Sequence, residues 1–252
     1  MYYYRMLSFN LRVNVTQDGI HAWTNRKSHV LDFIQSNDFD IIGFQEVTPN
    51  MYQELYKALN LYDGFGVGRD VNQEAIPIFI KKNQFTILES KTLWLSNTPT
   101  VESKIDGSYF PRIVTYVVVE DQNHTRISFF NTHLDYASDN VCKKQATILS
   151  KVMDRITAKY QSFVVLCGDF NQYPQSKTIQ YLTNRYQSVF DRKTNIGLTF
   201  HGFTNETNGL PIDYFFYSKP LRLEAFKIIN HLRHDIYLSD HYPISAMFSF
   251  EK

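Results

Sequence analysis

Only two cysteines, Cys142 and Cys167, occur in the 252 residues. Two cannot build a disulfide framework, and neither belongs to a Cys-x-x-Cys or Cys/His zinc pattern, so both are read as reduced thiols. Charge of one sign is equally scarce. Lys+Arg number 26 and Asp+Glu 25, a formal net charge of +1. This excludes a protein that grips a polyanion through net charge alone and leaves room only for a local basic patch. No run approaches the ~18 apolar residues of a membrane span. The start MYYYRMLSFN has no charged segment leading into an apolar one, so no secretory signal is read there. Glycine and proline, 10 and 8 in number, never cluster into a linker, and no repeat of about 20–50 residues is visible. There is no Gly-x-Gly-x-x-Gly turn and no Walker loop to cradle a nucleotide cofactor, and no Ser/His/Asp nucleophile elbow.

What is present is a globular composition: 43% hydrophobic, 20% charged and 15% aromatic residues. A chain of this length buries roughly 70–75% of its unfolded surface and needs no covalent staples. The expectation is one catalytic domain over residues 1–252, cytoplasmic or in a mature secreted form, monomeric and not membrane-bound. The rings fill cores but also stack on bases and sugars, so they do not decide function.

Short β-like runs alternate with helical ones. Strands are predicted over 4–9, 41–45, 75–80, 85–95, 113–120, 127–132, 163–167, 212–217, 223–229 and 244–250. Helices are predicted over 26–35, from Pro49 with Met51, Leu55, Ala58 and Leu59 on one face, over 140–160 with Ile148, Val152 and Ile156 one turn apart, and over 176–182. Strand runs bunched after residue 75 and after residue 199 indicate mixed sheets covered by helices, an α/β class, rather than one strictly alternating parallel sheet.

The informative feature is where acids, amides and histidines fall. Six apolar runs end in such groups: Ser8-Phe9-Asn10, Gln45-Glu46, Asn131-Thr132-His133, Gly168-Asp169-Phe170-Asn171, Ile212-Asp213 and Ser239-Asp240-His241. Strand ends at one rim of a sheet are where sites are built, because the scaffold holds those side chains still. Residues i and i+2 of a strand point the same way, which pairs Asn131 with His133 and Asp169 with Asn171. Hard oxygen ligands suit Mg²⁺ or Mn²⁺, histidines exchange protons near neutral pH, and neutral amides bind phosphoryl oxygens without desolvating another charge. Together they are the parts for metal-assisted attack of water on a phosphate ester. Each motif alone also has a plain structural use as a cap, an Asx turn or a loop before proline.

The ordered set Ser-Phe-Asn, Gln-Glu-Val, Asn-Thr-His-Leu, Gly-Asp-Phe-Asn, Ile-Asp-Tyr and Ser-Asp-His-Tyr-Pro, running from Ser8 to Ile244, resembles the endonuclease/exonuclease/phosphatase superfamily. A bacterial branch looks closest, through Gly68-Arg69-Asp70, Trp94-Leu95-Ser96-Asn97-Thr98-Pro99 and Thr199-Phe200-His201-Gly202-Phe203. The stretch from Gly168 to Leu182 also resembles the deadenylase branch. The resemblance implies a four-layer α/β sandwich of two packed mixed sheets, with the site at one end between them, and a Mg²⁺ or Mn²⁺ cofactor. It implies Glu46 as the main metal carboxylate, with Asn10 beside it and Asp240 nearby. Asp169 and Asn171 orient water and phosphate. His241 is base or transition-state stabiliser, held by Asp213. His133 donates to a phosphate oxygen or acts as the acid, steadied by Glu74. Arg112 faces the substrate phosphate. Arg69 and Phe203 are further substrate contacts, Phe203 as a ring to stack on a base or sugar. The segments 70–74 and 101–110 depart from the family pattern where they border the substrate.

The leading substrate expectation is a phosphodiester of single-stranded nucleic acid or a nucleotide. The alternatives are a phosphatase acting on a sugar or inositol phosphate monoester, a non-catalytic binding module on the same fold, and a sphingomyelinase-like enzyme, for which no exposed apolar hairpin is seen. Lys81-Lys82, Lys143-Lys144 and Arg192-Lys193 are candidate basic contacts, read first as solvated surface pairs. His21, His29, His124, His231 and His234 have no motif and are read as surface groups.

Overall fold

The computed structural model describes residues 2–71, 73–190, 197–230, 232–233 and 235–250. His231, His234 and Arg192-Lys193 lie outside them. In chain order the strands are β1 (Tyr4–Asn10), β2 (Ile41–Gln45), β3 (Tyr62–Phe65), β4 (Ile78–Lys81), β5 (Phe85–Trp94), β6 (Ile113–Asp121), β7 (Arg126–His133), β8 (Phe163–Asp169), β9 (Gln187–Ser188), β10 (Asp213–Tyr217), β11 (Leu221–Ile228), β12 (Leu232–Arg233), β13 (Ile236–Tyr237) and β14 (Ile244–Phe250). The helices are α1 (Trp23–Asn37), α2 (Pro49–Ala58), α3 (Asp139–Tyr160) and α4 (Lys177–Thr183), with a 3-10 segment at Thr16–His21.

Two mixed sheets of six strands result, ordered β11-β14-β1-β2-β4-β3 and β5-β6-β7-β8-β10-β9. The period of two sorts β1 between two cores. Tyr4 and Met6 join the core shared with the second sheet, whereas Leu7 and Phe9 join the core under α1 and α2. Ile41 and Ile42 divide the same way. The second sheet is covered on its outer side by α3, whose Cys142, Ala146, Leu149, Met153 and Ile156 are buried. These lie at i, i+4, i+7, i+11 and i+14, one helical face. The stripe is rotated from the predicted one, and Ile148 is only partly buried. Helices on the outer faces and two sheets between them make the four-layer sandwich, in which each fully buried large apolar side chain contributes about 1.5–3 kcal/mol. The predicted strand over 75–80 is shorter than expected. Pro77 has no N–H for a ladder, so β4 begins at Ile78, while Ala75 bridges separately to Val47 and Gly68.

The sheets meet most closely at Gly43. A Cβ there would stand 2.6 Å from Cys167 Sγ and 3.0 Å from Asn131 Cγ, so no larger residue fits without displacing the opposite sheet. Asn131 seals the same spot. It receives Gln45 Nε2 at 2.7 Å and donates to Phe44 O at 2.7 Å and Ile76 O at 3.1 Å.

Away from this seam, Glu89 of β5 accepts from Tyr116 Oη, Lys159 Nζ and Tyr160 Oη, each at 2.5 Å. These bonds, that of Lys159 foremost, hold its pKa down to about 2 from 4.5. A depressed carboxylate adds stability above its unfolded pKa and loses it as pH falls through the folded value. Glu89→Gln is therefore expected to lower Tm at pH 7, with the gap from wild type closing between pH 5 and about 2 in parallel melting curves. A gap that stays constant down to pH 2 contradicts the assignment.

Candidate active site

The inner-face alternation carries six strand ends to one place. Ladder register aligns His133 with Asp169 and Asp169 with Asp213 in one row across the second sheet. On the first sheet Asn10 pairs with Gln45, and Glu46 leaves β2 at φ 59°, Asn171 leaves β8 at φ 51°. Such left-handed non-glycine residues cost about 1–3 kcal/mol and persist where surroundings over-determine them. Gly168, at φ 145°, could not be replaced: a Cβ would stand 1.9 Å from Thr132 O.

The result is a cavity of about 470 Å³ lined by Glu46, Glu74, Arg69, Arg112, His133, Asp169, Asn171, Asp240 and His241, with Arg12, Phe110, Tyr136, Phe200 and Phe203 around it. Asp169 sits at its centre. Its Oδ2 accepts from Asn10 Nδ2 at 3.0 Å and lies 3.5 Å from His133 Nε2 and 3.7 Å from His241 Nε2; its Oδ1 accepts from Asn171 N at 2.9 Å. Asn10 Nδ2 also donates to Glu46 Oε1 at 3.1 Å, and Val13 N donates to Glu46 Oε2 at 3.0 Å. His241 Nδ1 meets Asp213 Oδ2 at 2.9 Å.

Burial and neighbours push the titratable groups apart. Burial, then the Asp213 carboxylate, raises Asp169 to about 7, with His241 and the Asn171 N–H opposing. Burial alone would lower His241, but Asp213, by charge and hydrogen bond, and then Asp169 outweigh it and hold the ring up to about 10. His133 goes the other way: burial first, then Arg112 and Arg69, lower it well below its usual value. At neutral pH the site therefore holds one imidazolium, one neutral imidazole and a carboxyl group poised to exchange its proton.

Several expected placements change in the structure. Glu74 does not touch His133; its Oε1 pairs with Arg69 Nη1 at 2.9 Å, because the guanidinium is the stronger partner for a buried carboxylate. His133 Nδ1 has no hydrogen-bond partner among the described residues. Its Nε2 meets Asn171 Nδ2 at 3.1 Å, and that amide also donates to Leu134 O. Asn10 presents its NH₂, not an oxygen, to both carboxylates, and its Oδ1 is taken by Arg12 N. Asp240 lies 3.6 Å from Arg12 Nε and falls outside the close cluster of Glu46, His133 and Asp169, whose ligand atoms lie within 4.8 Å of one another. Phe203 has one face stacked on His21 at 4.7 Å, so His21 is not a free surface group.

Sequence reading missed Arg12, which pairs with Asp18 at 3.1 Å, and the rings of Phe110, Tyr136 and Phe200. Position two after Asn10 was the only cue for Arg12. Phe110 and Phe200 lie in segments already singled out, 101–110 and 199–203, but nothing marked their rings, and for Tyr136 there was no cue, since aromatic side chains are common in cores. Lys81 pairs with Asp38, and Lys82 lies 3.7 Å from Asp63. Both cysteines are unpaired and buried, and burial raises the Cys142 thiol to about 12.

The sequence profile of the endonuclease/exonuclease/phosphatase family matches residues 7–241. The chain belongs to that family. An endonuclease/exonuclease/phosphatase from Bacteroides vulgatus is 28% identical over the full length of both chains and superposes with a TM-score of 0.90. A mannosyl-6-phosphatase from Bacteroides thetaiotaomicron, 24% identical, matches 98% of this chain and 100% of its own with a TM-score of 0.91, a likeness of fold. A probable CCR4-Not complex 3′-5′-exoribonuclease subunit Ccr4 from Enterocytozoon bieneusi is 28% identical over 90% of this chain. The chain spans 58% of that relative's length. As a member of the endonuclease/exonuclease/phosphatase family the protein is a hydrolytic phosphoesterase by class, and among its described residues no helix is long and apolar enough to cross a membrane.

Proposed function

We propose that this protein hydrolyses a phosphate ester with a divalent metal, Mg²⁺ or Mn²⁺, by in-line attack of water on phosphorus. The observation that carries the reading is the pairing of an acidic wall, Glu46 and Asp169, with the ring of His241, held by Asp213 at 2.9 Å, in one cavity. The acidic wall fits a cation. Glu46 and Asp169 share one amide donor at Asn10, His133 beside them is held neutral, and Asp169 is raised by burial, then by Asp213 and, less, by Glu46. Glu46 would hold such a cation, with Asp169 and His133 clustered beside it, and the cation would supply charge neutralisation for a phosphoryl oxygen.

The remaining roles belong to the chain. Asp169 accepts the proton of the attacking water, whose oxygen forms the new bond to phosphorus as the bond to the leaving oxygen breaks. His241, kept protonated by Asp213, donates from Nε2 to the charge that develops on the phosphoryl oxygens. Asn171 Nδ2, itself oriented by Leu134 O, holds the His133 ring through Nε2. The product alcohol takes its proton from solvent or from His241.

EDTA is expected to abolish hydrolysis of p-nitrophenyl phosphate and its bis ester, and Mg²⁺ or Mn²⁺ to restore it. Turnover that survives exhaustive chelation sinks the metal role. The sequence favoured a nucleic-acid or nucleotide diester; the arginines at the cavity wall bear on that choice.

A further inference from the structure

The His133 side of the cavity carries positive charge that the reaction as described leaves unused. Arg112 is 3% exposed and Arg69 8% exposed. Both guanidinium groups lie over the Phe110 ring, their central carbons 4.6 Å (Arg69) and 5.5 Å (Arg112) from its centroid.

Their acidic neighbours compensate them poorly. Asp135 Oδ2 is 3.5 Å from Arg112 Nε, but it already accepts from Ser108 Oγ at 2.7 Å and Phe110 N at 3.2 Å. Nε and Nη1 of Arg112 have no hydrogen-bond acceptor among the described residues. Arg69 Nη1 is satisfied by Glu74 at 2.9 Å, while its Nε, 3.4 Å from Asp70 Oδ2, makes no hydrogen bond. Burial, eased by Arg69, raises Glu74 to about 7, so this carboxyl group is only partly ionised near neutral pH. A buried guanidinium donor without an acceptor costs free energy that a bound anion removes.

The two walls therefore differ in sign. Glu46, Asp169 and Asp240 form the acidic one, and Arg69 and Arg112 face the cavity from the other. An internal diester offers one negative charge and two non-bridging oxygens, for which a cation at Glu46 and the ring of His241 would suffice. A terminal phosphate offers a third free oxygen and a second charge. We propose that Arg69 and Arg112 form the subsite for that third oxygen, so that the substrate is a dianionic phosphomonoester rather than an internal phosphodiester. This rests on the phosphoester reading above and departs from the diester expected from sequence.

The test compares p-nitrophenyl phosphate with bis(p-nitrophenyl) phosphate under Mg²⁺, since the leaving group is the same. Wild type is expected to prefer the monoester by more than about 100-fold in kcat/KM. Arg112→Gln and Arg69→Gln are each expected to lower monoester kcat/KM by about 10²-fold, the scale of one lost charge-stabilising donor, and to lower diester kcat/KM by much less. A wild-type preference for the diester, or an equal fall for both esters in the variants, overturns the proposal.

A second measurement needs neither turnover nor metal. Inorganic phosphate is expected to raise the Tm of the metal-free protein, dimethyl phosphate to leave it unchanged, and Arg69→Gln to erase the phosphate shift. Equal shifts from the two anions overturn the proposal, even if Arg112→Gln, the more buried change, fails to fold. If neither ester is hydrolysed while the arginine-dependent phosphate shift persists, the reaction assignment fails and the anion subsite stands.

Discussion

Asp169→Asn is expected to lower kcat by about 10²–10⁴, the usual range for loss of a general base, without a comparable fall in Tm. The amide has the same shape and keeps an oxygen for the Asn171 N–H that Oδ1 now accepts at 2.9 Å. It cannot take a proton from water. The residue is 1% exposed and flanked by both histidines. Steady-state kinetics beside a thermal melt decide the matter. A variant that keeps more than a tenth of wild-type turnover, or one that is inactive only because it is unfolded, removes the role assigned to this carboxylate.

The second large effect is expected at His241. His241→Ala deletes the one imidazolium facing the phosphoryl position, a loss of about 10²–10³ in kcat. It also leaves Asp213, 2% exposed, without the partner now at 2.9 Å, which costs about 1–3 kcal/mol of stability. Asp213→Asn separates the two consequences. The ring stays, but the charge that holds its pKa up to about 10 is gone. Because the active form is protonated, wild-type activity is expected to persist as pH rises and to decline near 10. In Asp213→Asn that alkaline decline moves to lower pH. The stability supplied by the pair follows the same sign. It is complete below about 6.5, the ordinary histidine value, and is lost as pH rises through about 10. A pH–rate profile with an unshifted alkaline limb in Asp213→Asn refutes the imidazolium role.

Most of the architecture was legible because its cause is local. Period-two runs and a helical stripe are forced by backbone geometry, and they located every strand of five or more residues in the two sheets. The elements that escaped were short. β3, β9, β12 and β13 hold four residues or fewer, too few for a period to show. The truncated β4 was misjudged because Pro77 looked like part of an apolar run, whereas its missing N–H matters only once a neighbouring strand is in place.

For the site, sequence alone determined which groups stand at strand ends and which share a face: Asn10, Gln45, Asn131 with His133, Asp169 and Asp213. That follows from the alternation of side chains along a strand, a property of each segment by itself. Only the tertiary structure decided partners and protonation. Glu74 turned to Arg69 instead of His133, Arg12 came to face Asp240, and two histidines of identical chemistry were driven in opposite directions. Such outcomes depend on distance and burial once the chain has folded, where a few ångströms and the loss of water set which charge is stabilised.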